Sequence, residues 1–187
     1  MSEYKIPENK ELIIAISGKS GCGNTTVSTL LSEKLNIALI NFTFRQLAAE
    51  KGLTLPQILE KAKNDDSFDR MVDTRQVELA KKQSCVLGSR LAVWMLKEAD
   101  FKVFLLASEK TRAERILNRA GGDLNEIMAF TQKRDAEDSA RYMQLYSIDN
   151  SKYDFCDLVI DTAKYNPTQI VELILQKLFE KQLLVER

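Results

Sequence analysis

Gly18-Lys19-Ser20-Gly21-Cys22-Gly23-Asn24-Thr25-Thr26 is the stretch that decides how this chain is read. It fits the phosphate-binding pattern G-x-x-x-x-G-K-[ST] at every fixed position except one, with Asn24 where the lysine belongs. Before it, Leu12-Ile13-Ile14-Ala15-Ile16-Ser17 is an apolar run suited to a buried parallel strand. After it, Thr25 to Leu35 has helical spacing, with Val27, Leu30, Leu31 and Leu35 on one face. Strand, glycine loop and helix is the context that the pattern requires.

The chemistry of the loop survives the missing lysine in part. Gly18, Gly21 and Gly23 let the backbone curl, so that successive N–H groups turn inward as an anion nest. The helix that follows adds its positive N-terminal end. Thr25 offers a hydroxyl to Mg²⁺. Asn24 is neutral and short, so the ammonium that reaches the β- and γ-phosphates is lost. Two readings follow: a nucleotide-binding protein without catalysis, or an enzyme that finds its positive charge elsewhere. Lys19, in the same loop, is the candidate supplier; the alternative is a solvated loop lysine. Cys22 reads as a small loop residue, the alternative being an oxidation-sensitive thiol in the phosphate loop.

The rest of the composition narrows the field. At 187 residues the chain reads as a single domain, 1–187, long enough to bury a core. Lysine plus arginine and aspartate plus glutamate each number 27, so the formal charge is zero, which argues against a broad surface for nucleic acid polymers. No stretch approaches the ~20 apolar residues of a membrane span. The polar opening, Met1 to Glu11, does not read as a signal peptide. Three cysteines, odd in number and without metal spacing, suit a reducing cytoplasm. The absence of histidine excludes histidine-based acid–base chemistry and histidine metal sites.

Four more strands are expected at Ile37–Ile40, Ser84–Gly88, Phe101–Leu106 and Leu158–Ile160. Helices are expected at Phe44–Lys51, from Thr54 to about Lys82, over Arg90–Lys97, Glu109–Arg119 and Leu124–Leu145, and from Asn166-Pro167 to about Leu183. Five apolar strands alternating with helices predict an α/β fold, a five-stranded parallel sheet covered on both faces. Ligands of such a sheet bind beyond the carboxyl ends of its strands, which is where the glycine loop falls.

Arginines supply the remaining candidates. Arg90 follows the third strand directly and Arg45 the second by a few residues, and a guanidinium fork there suits a phosphate. Arg112, Arg115 and Arg119 lie on one helix before the Gly121-Gly122 break, as in a lid closing on phosphates; the alternative is a solvated face paired with Glu109 and Glu114. Arg134, Asp138 and Arg141, spaced four and then three apart, share a helical stripe that can hold a sugar hydroxyl and a phosphate. A surface salt-bridge ladder is the alternative.

With these residues in view, the chain resembles the short, archaeal-type cytidylate kinases of the P-loop nucleoside monophosphate kinase superfamily. The matching stretches span about residues 11–180: the glycine loop; Phe44-Arg45; Asp69-Arg70, Val72-Asp73 and Arg75-Gln76; Ser89-Arg90-Leu91-Ala92 with Trp94; Arg112–Arg115; Arg141-Tyr142 with Tyr146 and Ile148-Asp149; and Tyr153 with Asp157–Ile160. The resemblance implies a P-loop NTPase three-layer sandwich with an acceptor-binding insertion at about 42–82 and a lid at about 112–146. It implies transfer of a phosphoryl group from ATP to CMP or dCMP with Mg²⁺. Gly18 to Thr26 would hold ATP, and Arg45 and Arg90 the acceptor phosphate. Arg134, Asp138 and Arg141 would hold the acceptor sugar and phosphate, and Arg115 and Arg119 would serve the lid. Partners would be small nucleotides, with no nucleic acid polymer and no membrane, in a cytoplasmic monomer or homodimer. Gly88-Ser89 stand where relatives commonly carry an acidic residue and a glycine, Ile40–Thr43 where they carry a small polar segment, and Val93 in place of a glycine. These departures motivate two rivals: a degenerate nucleotide-binding module, and a kinase for another small phosphate acceptor.

Overall fold

In the computed structural model, which describes residues 4–187, a two-residue strand β1 (Tyr4–Lys5) precedes β2 (Ile13–Gly18), the apolar run of the motif. Met1–Glu3, the start of the polar opening, lie outside the described residues. The glycine loop leads into α1 (Asn24–Leu35), followed by β3 (Ala38–Ile40), α2 (Phe44–Glu50), α3 (Leu55–Ala62) and α4 (Ser67–Ala80). Then come β4 (Cys85–Gly88), a single turn α5 (Ala92–Met95), β5 (Phe101–Leu106), α6 (Glu109–Ala120) and α7 (Leu124–Tyr146). The chain ends with β6 (Leu158–Asp161), α8 (Pro167–Glu180) and β7 (Val185–Glu186).

Five strands form one parallel sheet in the order β3-β4-β2-β5-β6. Both faces are covered, so an unbroken apolar run serves two layers. Ile14 and Ile16 of β2 pack with Val27 and Leu31 of α1 and with Ile174 and Leu178 of α8. Ala15 turns to the other face and packs with Ala80 of α4 and with Ala92, Val93 and Leu96 in and after α5. A third cluster joins Phe42, Leu47, Ile58 and Val72, so α2, α3 and α4 pack on apolar residues of their own.

The helix starts follow local chemistry. Thr43, Thr54 and Asn166 each close a capping box, with Gln46, Gln57 and Gln169 respectively. Pro56 and Pro167 sit in first turns, where no N–H is missed.

Two expectations need correction, and one small ribbon was not expected. The helix expected over Arg90–Lys97 shrinks to Ala92–Met95, and Arg90 stands in the turn before it. There the Ser17 hydroxyl donates to Ser89 O (2.8 Å) and accepts from Val93 N–H (3.1 Å), a long-range constraint that overrides helical spacing. The last helix stops at Glu180, because Gln182 takes a positive φ of 59° and the chain turns into β7. β7 pairs antiparallel with β1, a small ribbon too short to leave a period in the sequence.

Because β4 and β5 flank β2 on opposite sides, the strand order reverses at β2, and the crevice beyond its carboxyl end is the natural ligand site. The glycine loop, the Gly88-Ser89-Arg90 turn and the start of α6 all leave the sheet at that end.

Candidate active site

The loop is held by its carbonyls. Arg112, 2 % exposed, donates from Nη1 to Ser20 O (3.1 Å). Arg115 donates to Gly21 O (3.3 Å) and to both the hydroxyl and the carbonyl of Thr162 (2.8 and 2.6 Å). A third loop carbonyl, Lys19 O, accepts from Cys22 N–H (3.1 Å), so the turn is closed within itself as well as braced from behind. Gly21 takes φ +85°, and a Cβ there would stand 2.9 Å from Arg112 O, so the arginine-backed loop tolerates only glycine. Cys22 is buried in the main core, and burial pushes its thiol pKa up against the lowering pull of Arg112. That makes it an inert packing residue, as expected.

Asn24 turns away from the loop. Its Nδ2 donates to Ile16 O (3.2 Å), and its Oδ1 accepts from the Ser28 hydroxyl (3.0 Å). Thr25 and Lys19 are exposed at the mouth of the loop, and Thr26 faces its other flank. The Lys19 ammonium lies 3.3 Å from the carboxylate of Asp135, which also takes Arg112 at 2.7 Å. Asp135 therefore ties the loop, α6 and α7 together. Sequence reasoning missed it, because the Arg112–Asp135 pair spans 23 residues and no local spacing signals it.

Beside the loop, Lys19, Arg90, Asp135, Asp138 and Tyr142 line one small crevice. Arg90 donates to Asp138 (3.0 Å), which joins the strand-end arginine to the predicted stripe on α7. Burial raises the Asp138 pKa, with Arg90 and then Arg134 pulling it down. Burial, and then the Asp138 charge, pushes Tyr142 up to about 12.

Arg90, Asp138 and Tyr142 also line a larger cavity of about 520 Å³. The α7 side of that cavity contributes Arg134, Asp138 and Arg141 together with Lys133. Asp69 and Asp73 enter from α4, and Arg90 is shared with the smaller crevice. Arg141 pairs with Asp69, and the Tyr146 hydroxyl donates to Asp73 (2.7 Å). Burial raises the pKa of Asp73, and burial, followed by that carboxylate, raises Tyr146.

On the opposite flank of the loop lies a second cavity of about 350 Å³, lined by Thr26, Arg115, Arg119 and Tyr165. The arginines expected to form a lid therefore separate. Arg112 is a buried brace, contrary to the solvated-face alternative; Arg115 is bound to the loop and Thr162; Arg119 is exposed at the cavity rim. Arg45, in the first turn of α2, is exposed and lines neither cavity, whereas its neighbour Phe44 lines the larger one.

Among the described residues, no group of three or more histidine, cysteine, aspartate or glutamate side chains could hold a metal ion. No helix among them is long and apolar enough to cross a membrane.

Residues 13–164 match the cytidylate kinase-like family. Cytidylate kinase 2 of Borreliella afzelii is 41% identical over 174 residues, covering 91% of this chain and 98% of the relative. Cytidylate kinase of Archaeoglobus fulgidus is 37% identical over 177 residues, 93% of this chain and 98% of the relative. Among solved structures, a shikimate kinase from Acinetobacter baumannii in complex with shikimate superposes with a TM-score of 0.64 at 21% identity, covering 92% of this chain and 96% of that one. At that identity the likeness speaks for the fold alone.

Proposed function

We infer that this chain, which belongs to the cytidylate kinase-like family, transfers the γ-phosphoryl group of ATP to CMP or dCMP. The observation that carries the reading is Arg90. It lines both the crevice beside the glycine loop and the arginine-rich cavity beyond it, which supports a guanidinium acting between donor and acceptor phosphates.

In this reading the backbone of Gly18 to Thr26 cradles the triphosphate, and the cavity at Arg119 and Tyr165 takes the donor base. Arg90, Arg134 and Arg141 bind the acceptor phosphate and sugar, with Asp138 accepting from a sugar hydroxyl. Lys19 supplies the ammonium that Asn24 does not, leaving Asp135 for the triphosphate. Arg115 acts by fixing Gly21, and Arg45 reaches the acceptor only if α2 moves inward.

Mg²⁺ in such sites is held mainly by phosphate oxygens and water. The exposed Thr25 hydroxyl, in the first turn of α1, is the protein oxygen that fits this role, and the ion would neutralise charge on the phosphates. Phosphoryl transfer asks for positioning and electrostatic stabilisation more than for proton chemistry, so a site without histidine suffices. The free cysteines Cys22, Cys85 and Cys156 are consistent with a cytoplasmic setting.

The test follows a label in the γ-phosphoryl group of ATP. Its appearance as the β-phosphate of CDP supports the kinase. Release as inorganic phosphate, or no turnover despite ATP binding, supports the binding-module rival.

A further inference from the structure

Resting on the kinase reading, we propose that the α4 wall of the acceptor cavity reads the exocyclic amine of the base, with Asp69 as the residue that selects cytosine over uracil. The two walls of the cavity differ in charge. The α7 side carries Lys133, Arg134 and Arg141 interspersed with Glu137 and Asp138, and its cations suit phosphate. The α4 side offers the carboxylates Asp69 and Asp73 and no cation; Gln76, at i+7 on the same helix face, lies behind them and does not line the cavity.

Two acceptors on that helix face lack a donor. Asp69 is 7 % exposed and lines the cavity; one of its oxygens takes Arg141, and Oδ2 is buried with no hydrogen-bond partner. Gln76 is 6 % exposed, and its Oε1 is buried and unpartnered as well. Asp73, between them, is satisfied by Tyr146. Among the described residues, these are the two buried side-chain acceptor atoms without a partner, and both belong to this face of α4. A buried acceptor without a donor is costly, more so when charged, and calls for a donor that arrives with a ligand.

Cytosine carries an amino group at position 4, and uracil carries a carbonyl there. Against an ionised carboxylate the amine forms a charge-assisted hydrogen bond. The carbonyl sets acceptor against acceptor and leaves both desolvated. A site built to bond one polar group rejects the analogue lacking it far more strongly than an apolar pocket rejects a missing methylene. Because the same carboxylate holds Arg141, base reading and sugar–phosphate binding are fixed to one another.

The experiment compares CMP, UMP and 2-pyrimidinone ribonucleoside monophosphate, which lacks the 4-amino group, as acceptors for the full chain with ATP and Mg²⁺. The wild-type protein is expected to favour CMP over each of the others by about a thousandfold or more in kcat/KM. In Asp69→Asn the side-chain amide can donate to the uracil carbonyl, so the CMP/UMP ratio should fall by about tenfold or more. A merely structural role would lower both rates and leave the ratio. Equal use of the three nucleotides by the wild type, or an unchanged ratio in a folded Asp69→Asn protein, overturns the proposal. If the variant does not fold, the wild-type comparison of CMP with the 2-pyrimidinone nucleotide decides it. Dissociation constants of the same three nucleotides separate the two claims. CMP bound tightest without turnover removes the kinase reading and upholds the amine-reading wall, whereas equal constants remove the wall.

Discussion

Asn24 and Gly88 share one space at the head of the sheet: Asn24 Oδ1 lies 3.3 Å from where a Cβ on residue 88 would stand. The Ser28 hydroxyl, bonded to Asn24, would be only 2.5 Å from that Cβ. The two departures that raised the question of degeneracy are therefore neighbours in one packed arrangement, and each fits the other. Asn24 bridges Ile16 and Ser28 over a glycine that leaves it room.

That packing is testable. Gly88→Ala should destabilise the protein by about 1–3 kcal/mol, the usual cost of overpacking a filled site. Adding Ser28→Gly removes the two nearest clashing atoms. A double-mutant cycle on urea unfolding should then show the second change costing less in the Gly88→Ala background than alone. Strict additivity would mean that the two sites do not share the space.

Asp135 should matter for folding as well as for the loop. The Arg112–Asp135 pair is buried, and removing one partner of a buried pair costs about 3–5 kcal/mol. For Asp135→Ala this corresponds to a Tm lower by roughly 10 °C in a domain of this size. A Tm within a degree or two of the wild type would show that Arg112 is satisfied by Ser20 alone.

Lys19→Met separates loop charge from loop structure. Lys19 is half-exposed, so its pair with Asp135 contributes no more than about 1 kcal/mol, and Tm should hardly move. Turnover or ATP affinity should nevertheless fall sharply, because no lysine stands at position 24. Kinetics unchanged from the wild type would return Lys19 to the status of a solvated loop residue.

Much of this was legible in the sequence. The glycine loop with its strand and helix, the five parallel strands, and the caps at Thr54 and Asn166 all rest on local patterns, and all appear in the structure. Arg134, Asp138 and Arg141 line one cavity, a placement that their spacing alone did not separate from a surface salt-bridge ladder. What stayed hidden depends on contacts distant along the chain. Arg112 reads as a lid arginine or as part of a solvated face, yet it is buried through Asp135 and Ser20. The shortening of α5 comes from Ser17, which lies 76 residues before the Val93 N–H that it accepts. The Asn24–Gly88 neighbourhood likewise joins the start of α1 to the end of β4, which no period connects.

Buried carboxylates set a pH dependence with a definite sign. The pKa values of Asp73 and Asp138 are both raised from 3.8 by burial in the folded protein. Between 3.8 and those raised values the folded state holds more protons than the unfolded one, so the contribution of these groups to stability declines as pH rises through that window. Asp138→Asn should flatten the dependence of unfolding free energy on pH there. An unaltered slope would place the Asp138 pKa at its ordinary value.

Arg90 carries the functional reading most heavily. Arg90→Met should lower kcat/KM for the acceptor by at least about a hundredfold, the scale expected for a charge stabiliser in the site. Binding of ATP alone should stay close to the wild-type value. Normal turnover in this variant would remove Arg90 from the acceptor site.

The most direct measurement is turnover of the wild-type protein with ATP and Mg²⁺ against CMP, dCMP, UMP, AMP and GMP, with the nucleoside diphosphates separated and quantified. The account predicts CDP or dCDP as the dominant product, formed well above background despite Asn24. No diphosphate from any acceptor, with ATP still bound, would contradict it and leave a kinase fold kept for nucleotide binding.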